Sequence, residues 1–86
     1  MSDVVPITIY TREVCHLCDV AEATIRDVAA DEDVEIDLSL VDVDADDDLR
    51  ERYGERVPYV YIDGRPAFKF EVDEARLREK LIAASR

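Results

Sequence analysis

The sequence predicts an α/β fold, a four-stranded mixed sheet flanked by three helices in the order β-α-β-α-β-β-α. Three observations carry this. A β-prone apolar run at residues 4–10 passes directly into a stretch with helical spacing. A period-two alternation of apolar and polar residues follows at residues 34–40. Asp63-Gly64, a favoured two-residue hairpin turn, then separates two further β-prone runs. At 86 residues the chain is one domain spanning residues 1–86, with room for a modest core.

Taken in order, Val4, Val5, Ile7, Ile9 and Tyr10 form a nearly continuous apolar run, which suits a strand covered on both faces. Pro6 is tolerated near a strand's start. From Leu17 onward Val20, Ala21, Ile25, Val28 and Ala29 give one stripe of a helix that ends near residues 30–33, where charges cluster. Val34, Ile36, Leu38 and Leu40 alternate with Glu35, Asp37 and Ser39 as a strand does. Val41 and Val43 break that phase and leave the strand's end open. The acids at residues 44–48 suit a helix N-terminus, and Gly54 fits the position past its end, which gives a helix of about two turns. Residues 57–62 form the third strand. Residues 66–70 return beside it, with Phe68 and Phe70 on one face and Pro66 marking an edge. Asp73 caps a final helix whose candidate contacts are Ala75, Leu77, Leu81 and Ile82. The first two strands, joined through a helix, are parallel with a right-handed crossover, and helices cover both faces of the sheet.

Cys15-His16-Leu17-Cys18 lies at the junction of the first strand and the first helix. Sites in open α/β sheets lie outside the carboxyl ends of strands. The first turn of a helix adds unpaired N–H groups and a dipole that favour negative charge. The thiolate is the nucleophile of sulfur chemistry, and a helix N-terminus is one environment that lowers a cysteine's pKa. Side chains three apart on a helix approach to about 5–6 Å, close to disulfide range. Two cysteines this near in sequence would close too small a loop to staple a fold. A lone C-x-x-C beside a βαβ pattern reads as a redox motif in a reducing compartment. Arg12 and a protonated His16 supply positive charge near the thiolate, opposed by Glu13 and Asp19. His16 is either a tuning and proton-shuttling group or an exposed polar filler.

Other patterns weigh less. A zinc or iron–sulfur site needs more ligands than Cys15, Cys18 and His16, so no metal residues are assigned, and a cluster would have to be bridged between two chains. Asp42-x-Asp44-x-Asp46 imitates a calcium loop, but Asp47 and Tyr53 stand where that loop wants glycine and glutamate. It reads as a solvated acidic loop. Tyr59 and Tyr61 alternate on the third strand as packing residues, or one lines a substrate groove. Arg50, Arg52 and Arg56 form a basic cluster that pairs with neighbouring acids or docks a small thiol's carboxylate.

The run from Tyr10 to Cys18, with Val57-Pro58 opening the third strand, resembles the small glutaredoxin-like proteins of the thioredoxin superfamily, across essentially the whole chain. The resemblance implies a thioredoxin-like fold. It also implies a thiol–disulfide oxidoreductase in which Cys15 is the nucleophile and Cys18 the resolving thiol. Pro58 corresponds to that family's cis-proline, and the backbone of Val57 pairs with an incoming disulfide-bearing chain. Val57 and Pro58 join Arg12 and His16, singled out above by their charge, as the expected substrate-binding residues. Partners are disulfide-containing proteins or low-molecular-weight disulfides, met by a monomer. No cofactor is bound, and a small thiol such as glutathione is the co-substrate that the resemblance brings in. One departure bears on glutathione. Phe70-Glu71-Val72-Asp73-Glu74 has no glycine pair, and its carboxylates sit where a helix N-terminus would receive an anion. The alternative function is a metal or iron–sulfur carrier, or a partner-binding module without catalysis.

Net charge is −11, from 22 acidic and 11 basic residues. This balance argues against nucleic acid, whose phosphates need a basic surface. Met1-Ser2-Asp3 carries no basic leader and no apolar stretch reaches membrane length, so a cytoplasmic location is expected. Only Lys69 and Lys80 are lysines. The Asp-rich, Lys-poor surface resembles that of proteins from salt-loving microbes. Molar salt shortens the screening length to about 3 Å and removes most self-repulsion. The thermal midpoint is accordingly expected to rise between low and molar salt. A midpoint that stays level across that range contradicts the halophilic reading.

Overall fold

The computed structural model describes residues 4–85, so the N-terminal reading of Met1, Ser2 and Asp3 lies outside the described residues. Strands β1 (Val5–Thr11), β2 (Ile36–Asp42), β3 (Tyr59–Ile62) and β4 (Arg65–Lys69) alternate with helices α1 (His16–Asp31), α2 (Asp47–Tyr53) and α3 (Glu74–Ala84). A single 3-10 turn at Val43–Ala45 leads into α2. The sheet order is β2-β1-β3-β4, with β1 and β2 parallel and the other two pairs antiparallel. This is the thioredoxin-like order expected from the sequence.

The core lies on one face of the sheet. Val5, Ile7 and Ile9 of β1, with Val60 and Ile62 of β3, are buried against Ile25, Val28 and Ala29 of α1 and Leu77 and Leu81 of α3. The continuous apolar run of β1 is not covered equally on both sides. Pro6 is exposed, and Thr8 and Tyr10 are half-buried on the second face. That face meets α2 through Tyr53, whose ring stacks on Tyr10 at 4.2 Å between centroids. A two-turn helix is too short to do more.

Local details shift for physical reasons. β2 begins two residues later than the alternation suggested, and while its Ile36 and Leu38 pack against the core, Leu40 towards its end stays 51% exposed. Val43, out of phase with the strand, is buried in the 3-10 turn instead. Leu17 and Val20 leave the apolar stripe of α1 and are each 47% exposed, because the buried stripe runs through Cys18, Ala21, Ile25, Val28 and Ala29. In α3 only Leu77 and Leu81 are buried. Ala75 and Ile82 point away, since one i, i+4 stripe fits under an eleven-residue helix.

Turns behave as their residues dictate. Asp63 and Gly64 both take positive φ, 54° and 79°, as a type I′ hairpin requires. Gly54 closes α2 with an ordinary helical φ. Its need for glycine is the close approach of the Arg50 carbonyl, which a Cβ would strike. Phe70 differs from expectation. β4 ends at Lys69, and Phe70 takes a φ of 69°, so it no longer shares the face of Phe68. Phe68 packs against the core while Phe70 is 43% exposed. Its N–H donates to the Pro58 carbonyl at 2.8 Å, which holds the left-handed residue in place.

Candidate active site

Strand pairing gathers the site. Thr11 lies opposite Asp42, Tyr10 opposite Tyr59, and Tyr59 opposite Lys69. The carboxyl ends of β1, β2 and β4 and the start of β3 therefore meet at one end of the sheet. Four connecting segments emerge there: residues 12–15, the turn after β2, residues 54–58, and residues 70–73.

Cys15 ends the first of these segments. It is not in the first turn of α1 but is its N-cap, with an extended φ of −145°. Its Sγ accepts the N–H of Cys18 at 3.1 Å, and its carbonyl accepts the first helical bond from Asp19. A sulfur thus occupies the role that serine or aspartate oxygens fill at most helix starts. Cys15 and Cys18 are joined as a disulfide, with Cα atoms 5.2 Å apart. Cys15 is half-buried, whereas Cys18 is only 4% exposed on the core side of the helix. His16, the first helical residue, is exposed. The hydrogen bond to the Cys15 sulfur comes from the backbone, not from His16 or Arg12.

Pro58 is buried, follows a cis peptide bond from half-buried Val57, and opens the segment paired with β1. Arg12 is committed elsewhere. Its Nε and Nη2 donate to the two carboxylate oxygens of Asp44, each at 3.1 Å, and its Nη1 donates to the Gly54 carbonyl at 3.0 Å. The guanidinium holds the Asp44 carboxyl below the usual range, chiefly through these hydrogen bonds. The acidic loop is accounted for in the same way. Asp42 and Asp46 cap the two short helical segments, and Asp44 pairs with Arg12. Among the described residues no three His, Cys, Asp or Glu side chains gather as a metal site.

Sequence reasoning missed two features. Val14 is 95% exposed, and together with Leu17, Val20 and Phe70 it leaves apolar surface open beside the dithiol. A shallow groove of about 250 Å³ runs there between α1 and Phe70–Val72. Phe70 lines it with a φ of 69°, a conformation invisible in a period-two pattern. The other feature is the pairing of Arg12 with Asp44, which a calcium-like spacing concealed.

The glutaredoxin-like domain family (DUF836) matches residues 6–82 of the chain. The chain belongs to this family. The solved structure of protein XcR50 from X. campestris is 33% identical, covers 90% of this chain and 96% of its own, and superposes with a TM-score of 0.66. Protein Ne2328 from Nitrosomonas europaea is 22% identical over 94% of this chain and 95% of its own, with a TM-score of 0.77. A mutant thioredoxin from Halobacterium salinarum is 23% identical over 99% and 77%, with a TM-score of 0.63. These last two likenesses speak to the fold, which is thioredoxin-like. No curated protein matches the chain. No helix of the described residues is long and apolar enough to cross a membrane.

The second sheet face of this glutaredoxin-like domain holds all four of its tyrosines. Tyr59 and Tyr61 stack on one another at 5.3 Å, Tyr53 crosses Tyr59 edge-on, and the hydroxyls of Tyr53 and Tyr61 lie 3.3 Å apart. The hydrogen bond to Tyr53, then burial, pushes the Tyr61 phenol up to about 12. Burial, then the charge of Tyr53, raises Tyr10 as well. A phenol whose folded pKa exceeds the unfolded value of about 10 favours the folded state until that value, then loses its contribution as pH climbs through the folded one. Stability should therefore fall between pH 10 and about 12. Tyrosinate absorbance followed with circular dichroism checks this, and Tyr53→Phe should move the Tyr61 titration to lower pH. An alkaline titration unchanged by Tyr53→Phe would contradict the hydrogen-bonded pair.

Proposed function

We propose that this glutaredoxin-like protein is a thiol–disulfide oxidoreductase that reduces protein or small-molecule disulfides through a Cys15/Cys18 dithiol cycle. One observation carries the reading. The half-buried Cys15 sulfur caps α1 and accepts a backbone N–H, while the bonded Cys18 lies buried one turn further in. The same donor and the helix dipole stabilise a thiolate on Cys15.

The cycle follows. The Cys15 thiolate attacks one sulfur of the substrate disulfide. The substrate S–S bond breaks as the mixed disulfide forms, and the other substrate sulfur leaves as a thiolate and is protonated. Cys18 then gives up its proton and attacks the Cys15 sulfur. The internal disulfide forms, and the second substrate thiolate leaves and is protonated. Two electrons pass from the dithiol to the substrate disulfide. In this cycle an extended substrate chain lies along Pro58 and pairs with the backbone of Val57. The exposed apolar side chains Val14, Leu17 and Phe70 suit a polypeptide partner.

Reduction of a disulfide substrate by the reduced protein, followed for two variants, tests the roles. Cys15→Ser should lose all activity. Cys18→Ser should accumulate a covalent mixed disulfide with its substrate, or turn over slowly when a small thiol resolves it. Full activity in Cys15→Ser would reject the assignment.

A further inference from the structure

Arg12 stands on the loop that enters Cys15 and presents a planar fork of N–H donors, the geometry that grips a carboxylate bidentately. In this molecule the fork is occupied. Asp44 takes Nε and Nη2, and the Gly54 carbonyl takes Nη1. Arg50 shares the same carboxylate, with Nε 3.4 Å from Asp44 Oδ1, and donates from Nη2 to the Asp44 carbonyl at 3.3 Å.

A cleft of about 670 Å³ opens between this loop and α2. Arg12, Arg50, Arg52 and Arg56 line it, facing Asp47, Glu51 and Glu55. Asp44 does not line the cleft itself but is bound to two of the arginines that do, Arg12 and Arg50. The Arg12–Asp44 pair is 39% and 42% exposed, so its worth to stability is small. What it changes is the charge that an approaching ligand meets. The second place for an anion at this end of the molecule is filled as well. The Asp73 carboxylate accepts the Arg76 N–H at the start of α3, with Glu71 and Glu74 beside it.

We propose that Asp44 is a specificity-determining residue: it fills the Arg12 fork with an internal carboxylate, so that carboxylate-bearing disulfides are disfavoured beside Cys15 and neutral or cationic ones are preferred. This rests on the dithiol exchange proposed above. The chemistry of the cycle is unchanged. Asp44 acts on which disulfide reaches the Cys15 sulfur.

The test measures second-order rate constants for the reduced protein with cystamine, the disulfide of mercaptoethanol, and dithiodiglycolate. These are cationic, neutral and anionic at neutral pH. Each rate is divided by that of dithiothreitol with the same compound, which removes intrinsic reactivity. The wild-type protein should rank them cationic, neutral, anionic, and the spread should shrink in high salt. Asp44→Ala and Asp44→Asn should each raise the anionic-to-neutral ratio by about fivefold, as expected for one charge removed near the path of the ligand. Asp31→Ala makes the same net-charge change at the far pairing with Arg78 and should leave the ratio where it was. An unranked wild type, or a ratio that moves equally in Asp31→Ala, overturns the role of Asp44 while leaving the exchange reading standing. No exchange with any of the three disulfides overturns both.

Discussion

The N–H of Cys18 donating to the sulfur of Cys15 is the contact on which the rest of the site depends. A helix start needs an acceptor for its unpaired N–H groups, and a reactive thiolate needs donors. Here one contact meets the first need and, in the proposed cycle, the second. It requires the chain, after the bend at residues 13–14 that follows β1, to be extended at Cys15 and to turn at once into α1. The buried side chains Val5, Ile7 and Ile9 of β1 and Ile25 and Val28 of α1 fix that exit angle. The core thus positions a sulfur that is itself outside the core cluster.

Around that sulfur the strand register does the gathering. Because β1 and β2 run parallel while β3 runs against them, segments far apart in sequence emerge at the same end. Phe70 is held to Pro58 by a backbone hydrogen bond, in a conformation that costs a bulky residue about 1–3 kcal/mol. Its ring is exposed where a period-two strand would have turned it with Phe68. The Arg12–Asp44–Gly54 contacts tie the loop into Cys15 to the end of α2. Exposed ion pairs of this kind contribute little stability.

Much of this was legible in the sequence. Element order, parallel pairing, the hairpin at Asp63-Gly64, the edge position of Pro66 and the cap at Asp73 follow from period, turn chemistry and proline's missing donor. The Cys15/Cys18 pair was legible because strand, cysteines and helix are contiguous. Less was readable where tertiary contacts decide. The exposure of Leu17 and Val20 depends on which stripe of α1 meets α3, and helical spacing alone allows either. The conformation of Phe70 depends on a bond to Pro58, twelve residues away. The partner of Arg12 was hidden because Asp44 sits in a run of similar acids, and only the fold selects one of them. The tyrosine cluster needed the register of β1 with β3 and the docking of α2.

The central claim is that Cys15 is the ionised, accessible thiol and Cys18 the protected one. Alkylation of the fully reduced protein with iodoacetamide, mapped by mass spectrometry across pH, tests it most directly. Cys15 should be modified well ahead of Cys18, and already far below about pH 8.5, where an unperturbed cysteine ionises. Equal modification of the two, or Cys18 reacting first, would contradict the account.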